Sequence, residues 1–407
     1  MIEKKFYGER LRSARMYRGL TLTELAKRTE ISKQSISLYE NDNNTPDYMK
    51  VRLLASELNF PYDYFFQKDS YAAKTETTYF RSLASATKKD RTAQSIKLEY
   101  VAKMYEILLE FISFPEMNLP SVNFVGCDDV FECENEDAIQ EIEDIVAQVR
   151  KYWDIGTGPI KDLQYLLEKN GIIVTGFDTN EDKIDAFSQR TIVAGNDIYF
   201  IAVALGNRPE GRIRFDMAHE LGHILLHPWS EDLEAITKDE FKARERQANM
   251  FASAFLLPRD SFGKDIASYP TDLKYYQFLK NKKGKSKPIV ALKNKWKVSI
   301  QAMIYRTHQL GIMSDNQYQY LMRQVSKNGW RIKEPGDVPY SLNENIFQGA
   351  IDLLIEQNVL TAKEILDLFK KNGVTLYPED MEELLHLRPD TLKVEEKVVP
   401  ILQLRKK

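Results

Sequence analysis

The chain has 407 residues, 43 % apolar and 29 % charged, and its 57 basic and 60 acidic side chains give a net charge of −3. That length and apolar content suit roughly two to four packed domains and exclude fibrous or wholly disordered classes. The two cysteines, Cys127 and Cys133, are too few for a disulfide-stapled scaffold and read as free thiols. The start, Met1 to Phe6, lacks the apolar core of a signal peptide, and no apolar run approaches membrane-spanning length. The expectation is a soluble, cytoplasmic protein with no membrane partner.

Charge is segregated along the chain. Residues 4–33 carry nine basic side chains against Glu9, Glu24 and Glu30; residues 124–149 carry nine acidic side chains and no Lys or Arg; residues 280–297 carry eight lysines and no acid. The near-neutral total is a cancellation between segments, as in a modular chain.

Residues 6 to 66 show short helical patterns separated by small turns. Thr21-Leu22-Thr23-Glu24 has the spacing of a capping box, which starts a helix by satisfying its first backbone N–H groups. Leu25 and Ala26 are expected to face inward, with Thr29-Glu30-Ile31 as a tight turn plugged by Ile31. Ser32 then caps a second helix, Lys33 to Glu40, with Ile36 and Tyr39 in the core. Its outward face holds Lys33, Gln34 and Ser37. Two short helices joined so tightly, the second displaying polar groups, form a helix-turn-helix. Lys33 and Gln34 have the chemistry to read base edges, while Ser35 and Asn41 suit phosphate. A bundle used only for docking is the competing reading. One copy of so small a module binds weakly, so a homodimer on double-stranded DNA is expected.

Residues 68–90, rich in Ser, Thr, Ala and Lys, read as a linker. A long helix over 91–113 follows, then amphipathic helices from Ile139 to Tyr152 and from Pro159 to Lys169. Residues 172–174, 185–187 and 198–205 read as short strands, and the pattern beyond Ile213 is almost wholly helical. The fold class expected is mainly α with a small β-sheet (α+β). Its parts are a five-helix helix-turn-helix domain (1–67), a linker and long helix with an acidic loop (68–135), an α+β domain that holds the clustered histidines (136–262), a helical helix-turn-helix-like region (263–335) and a C-terminal helical region (336–407).

Three of the five histidines fall within nine residues. His219-Glu220-Leu221-Gly222-His223 is H-E-x-x-H in a helical stretch. Positions i and i+4 lie on one helix face, so both imidazoles reach one Zn²⁺, and Glu220 stands where it can take a proton from a water ligand. Glu245, on the next helix, is the favoured third ligand because Ala248, Phe251, Ala252 and Phe255 give that helix a packing face; Glu234 and Glu240 are its rivals, and pairing with Arg244 or Arg246 is its ordinary alternative. Asn249 could hold His219 or His223 by its other ring nitrogen. His227 is either an oxyanion-stabilising catalytic residue or a helix-terminal histidine before Pro228. His308 and His386 read as partnerless, and Val298-Ser299 followed by outward Gln301 and Arg306 reads as a second helix-turn-helix-like unit.

The stretch from Leu11 to Phe66, with Ser32-Lys33-Gln34-Ser35-Ile36-Ser37 and Tyr39-Glu40-Asn41, resembles the phage-repressor-type (XRE) helix-turn-helix domain. Arg212-Ile213-Arg214-Phe215, the segment His219 to His227, Glu245 to Asn249 and Phe255-Leu256-Leu257-Pro258 resemble the ImmA/IrrE family of zinc metallopeptidases. Asp216 departs from that pattern, where a small hydroxyl residue is expected. The resemblance implies His219, His223 and Glu245 as zinc ligands, Glu220 as general base, and a repressor-type protein as substrate. The expected function is a DNA-binding zinc endopeptidase acting in a stress, phage or mobile-element response. The alternative is a regulator or antitoxin-like protein whose zinc site is structural or sensory.

Overall fold

The computed structural model describes residues 5–68, 75–80, 88–127, 135–177, 185–206, 208–229, 236–267, 288–340 and 344–394. They fall into two compact units. One comprises Met1–Ala72, Thr92–Ser113 and Ile346–Lys407, the other Ala73–Arg91 and Phe114–Asn345.

The first unit opens with α1 (Gly8–Tyr17), α2 (Leu22–Thr29), α3 (Lys33–Glu40) and α4 (Tyr48–Leu58). The capping box forms as its spacing requires, with the Thr21 hydroxyl accepting from the Glu24 N–H and the Glu24 carboxylate accepting from the Thr21 N–H. Glu30 adopts a left-handed conformation (φ 56°), which ends α2 and turns the chain into α3. Leu25 and Ile36 are fully buried beneath this turn, whereas Ala26 is only half-buried. Arg15 clamps the buried end of α3 through two hydrogen bonds to Glu40, of 2.6 and 2.8 Å. A 3₁₀ turn, Tyr62–Phe66, stands where a fifth helix was expected.

The expected long helix is α5 (Lys88–Leu108); it stops short of Phe111, which is exposed. Its Tyr100 hydroxyl meets that of Tyr64 at 2.9 Å. The C-terminal helices Ile346–Glu356, Ala362–Lys371 and Pro378–Leu385 belong to this same unit. Arg18 grips Asp380 with 2.9 and 3.0 Å contacts, and the Phe347 ring stands edge-on to Tyr105.

The second unit is built on a four-stranded sheet in the order β1-β3-β4-β2. Strand β1 (Thr75–Phe80) lies within the stretch read from sequence as a linker, which corrects that reading: its backbone pairs antiparallel with β3 (Ala186–Val193). A two-residue turn, Ala194-Gly195, with positive φ at both positions, joins β3 to β4 (Asn196–Ala204) as a tight hairpin. β2 (Ile173–Phe177) then lies parallel to β4. Around the sheet are α6 (Glu136–Tyr152), α7 (Leu163–Lys169), α8 (Glu210–Leu226), α9 (Lys238–Leu256), α10 (Arg259–Ala267), α11 (Pro288–Trp296), α12 (Ile300–Gln309) and α13 (Asp315–Lys327). α8 is central, with Ile213, Met217, Ala218 and Leu221 completely buried.

Buried cations bind these helices through long-range partners. Arg150 donates to the carbonyls of Gly156, Gly158 and Phe255, and burial lowers its pKa to about 10. Arg306 is not outward, as expected, but 2 % exposed, paired with Glu143 at 2.6 and 2.9 Å and donating to the Leu257 carbonyl. Lys293, from the lysine-rich segment, is buried against Glu334 and Asp337. α11 and α12 thus form part of the core, with Ser299 capping α12. Cys127 is disulfide-bonded, which corrects the free-thiol reading; Cys133 lies outside the described residues. No helix among the described residues is long and apolar enough to cross a membrane.

Candidate metal centre and nucleic-acid interface

α8 and α9 bring three side chains to one point. His219 and His223 occupy successive turns of α8, buried to 0 % and 2 % exposure. Their Nε2 atoms stand 3.0 Å apart. From α9, Glu245 places Oε1 3.2 Å from His223 Nε2 and Oε2 3.6 Å from His219 Nε2. Among the described residues these three form the cluster able to hold a metal ion, each offering one ligand atom within 4.8 Å of the others. Burial raises the Glu245 pKa, but the hydrogen bonds and charge of the two histidines outweigh it and hold the carboxyl well below its usual range. Of the rival ligands, Glu240 instead pairs with Arg244 at 2.6 Å, and Glu234 lies outside the described residues.

The helices can approach this closely because of Gly222. A Cβ built there would stand 3.2 Å from both the Ala248 Cα and the Phe251 side chain. Gly222→Ala should therefore force α8 and α9 apart, costing about 1–3 kcal/mol of stability. A thermal-unfolding midpoint equal to that of the parent chain would refute this account of the crossing.

The surroundings of the cluster are specific. His219 Nδ1 lies 3.1 Å from Asn249 Oδ1, as one of the two expected pairings required. Glu220 is completely buried and its Oε2 accepts a 2.6 Å hydrogen bond from the Ser188 hydroxyl on β3. His223 Nδ1 lies 2.9 Å from His227 Nδ1, and His227 Nε2 lies 2.9 Å from Gln247 Oε1. Both ring nitrogens of His227 are thus engaged inside the protein, which leaves neither for an oxyanion and corrects that expectation. Burial, followed by the charge of His223, pushes the His227 pKa well below the usual imidazole value and keeps the ring neutral. Ser188 and Gln247 escaped the sequence reading: Ser188 belongs to no motif, Gln247 lies inside the Glu245 to Asn249 stretch without a role assigned to it, and only their spatial neighbours mark them.

A cleft of about 800 Å³ opens beside the cluster. Glu245 and Asn249 stand on one wall, and Phe215, Phe241, Tyr305 and Trp330 supply aromatic surface. Asp216, the departure noted in the sequence, also lines it and is 2 % exposed. His308 lies apart from the cluster, bonded to Asp315 at 2.7 Å and stacked on Tyr318, so it is not partnerless.

In the first unit, Lys33, Gln34 and Asn41 are exposed on and just after α3, while Ser35 and Ser37 are half-buried. Ser32 caps the helix by accepting from the Ser35 N–H, and its hydroxyl meets that of Ser35 at 2.9 Å. Asn41 donates to the Ser37 carbonyl.

The architecture defines a helix-turn-helix module joined to a metallopeptidase-like domain. Comparison with known families shows which. Residues 8–70 match the helix-turn-helix domain model, and residues 167–308 match the peptidase family described as IrrE N-terminal-like domain. The chain thus carries a phage-repressor-type helix-turn-helix domain followed by an ImmA/IrrE-type domain. It is also similar to the HTH-type transcriptional regulator ImmR of Bacillus subtilis (strain 168), at 36 % identity over 70 residues. That match covers 17 % of this chain and 55 % of ImmR, so the chain spans about half the length of this curated relative. The helix-turn-helix domain implies DNA binding.

Proposed function

We propose that the chain is a DNA-binding zinc endopeptidase that cleaves a repressor-type protein and so controls transcription. The observation that carries the reading is the buried His219–His223–Glu245 cluster beside Glu220 at the edge of a peptide-sized cleft. The donor set fits zinc. Tetrahedral ligands about 2.0–2.2 Å from the ion stand roughly 3.3 Å from one another, and the observed separations are 3.0, 3.2 and 3.6 Å. Two imidazoles and one carboxylate also leave a fourth position open, the catalytic rather than the structural pattern.

Zinc, when bound there, supplies a Lewis acid and makes a water ligand more acidic. Glu220 receives the proton, its carboxylate held in place by Ser188, and can pass it to the departing amine. The aromatic wall of the cleft takes apolar side chains of the substrate and excludes water. Co-expression with candidate repressor-type proteins tests the reading. Fragments should appear that depend on zinc and on Glu220; their absence under every inducing stress would favour a regulator whose zinc site is structural or sensory.

At the other end of the chain, α3 lies in the major groove of double-stranded DNA, with Lys33 and Gln34 at its exposed start, and a homodimer spans a two-fold site. Gln34→Ala should relax discrimination at one base position, a loss of about 1–3 kcal/mol. Lys33→Ala should weaken binding across sequences and lower its salt dependence if that lysine meets phosphate. Binding titrations on matched and mismatched operators at several salt concentrations separate the two, and unchanged affinity in both variants would remove α3 from the interface.

A further inference from the structure

We infer that His227 and Gln247 form a one-way hydrogen-bond relay, anchored on the main chain at Cys127, that dictates which nitrogen of His223 faces the metal position. The inference rests on reading His219, His223 and Glu245 as a zinc centre. It concerns residues that are not themselves ligands, and it assigns them to positioning rather than to chemistry.

The direction of the relay follows from its far end. The Cys127 carbonyl oxygen can only accept, and a Gln247 amide atom stands 2.8 Å from it. That atom must be the amide nitrogen, because two carbonyl oxygens would repel at this distance. Gln247 Oε1 therefore faces His227 Nε2, at 2.9 Å. An amide oxygen also only accepts, so Nε2 of His227 carries the ring proton. A neutral imidazole has one such proton, which leaves Nδ1 of His227 as a lone pair. That lone pair stands 2.9 Å from Nδ1 of His223, so His223 must donate from Nδ1. Nε2 of His223 is then bare, and it is the atom that stands 3.2 Å from Glu245 Oε1. Each orientation follows from the one before, and the chain starts at an atom that cannot change its role.

His219 is held differently. Its Nδ1 lies 3.1 Å from a side-chain amide oxygen, Asn249 Oδ1. An imidazole nitrogen is a far stronger base than an amide oxygen, so the relay makes His223 the more basic of the two ligands. Outer partners of this kind fix ring orientation and raise ligand basicity, and their loss typically costs about 10–100-fold in metal affinity.

The test uses the full chain, stripped with a chelator and reloaded with Zn²⁺ or Co²⁺. Zinc affinity is read by competition with a chromophoric chelator, and coordination by the visible absorption of the cobalt form. His227→Phe keeps a ring but removes the acceptor, and should weaken zinc about 10–100-fold and shift the cobalt bands. His227→Asn, whose side-chain oxygen falls near the former Nδ1, should restore most of the affinity. Equal loss in both variants would mean a merely structural role and would overturn the relay, as would unchanged affinity and spectrum in His227→Phe. If His227→Phe fails to fold, Gln247→Leu against Gln247→Glu decides: the carboxylate still accepts from His227 and the leucine does not, so identical affinities would overturn the proposal. A parent chain that binds no zinc brings down the metal centre and the relay together. A parent chain that binds zinc but cleaves nothing removes the peptidase reading alone, because the relay is read from affinity and spectrum.

Discussion

Glu245→Ala is expected to empty the metal centre while leaving the fold in place. Glu245 comes from a different helix than the two histidines and supplies the cluster's negative charge. Without it, a doubly charged ion would sit between two neutral rings in a buried pocket, where uncompensated charge is costly. The loss should exceed the roughly 100-fold that outer partners cost. Metal analysis of the purified variant after dialysis against a weak chelator measures it, and full zinc retention would exclude Glu245 as a ligand. Acid should act on the parent chain in the same direction, because ligation requires bare imidazole nitrogens and protons compete for them.

Glu220→Gln separates binding from chemistry. Glu220 lies next to His219 in the sequence yet is not among the three clustered ligand groups. Its amide replacement has the same shape and can still accept from Ser188, so fold and zinc content should stay within a few-fold of the parent. What it loses is the capacity to take a proton. General-base catalysis is worth about 10²–10⁴-fold, and cleavage of the repressor should fall by that factor. Cleavage at the parent rate by a zinc-replete variant would sink the assignment of Glu220 as base.

The parts that were legible in the sequence are those written in local spacing. The capping box at Thr21 and Glu24, the Ser32 cap and the i, i+4 pair His219 and His223 each depend on residues within one or two turns, where helix geometry fixes what meets what. Glu245 was reachable because apolar residues at helical spacing gave its helix a face to pack. The misread residues depend on partners far along the chain. Arg306 reads as a surface cation until Glu143, 163 residues away, neutralises it in the core. Other long-range pairs have no local pattern to announce them: Lys293 with Glu334, and Asp380 with Arg18 across 362 positions. Ser188 is an unremarked serine on a strand until the fold sets it beside Glu220. β1 was hidden by its setting, since its threonine- and aromatic-rich run sits inside a stretch whose overall composition suggests a linker.

That strand also bears on access. β3 carries Ser188, and it is β1 that pairs along its outer side, with Tyr79 opposite Ser188 and Phe80 opposite Phe187. Extended peptides commonly dock by adding a strand to a free sheet edge, using main-chain hydrogen bonds for affinity. Here the chain fills that berth with its own backbone. A foreign strand that sought to lengthen the sheet at β3 would have to evict residues 75–80 first, and its apparent affinity would be reduced by whatever holds them there.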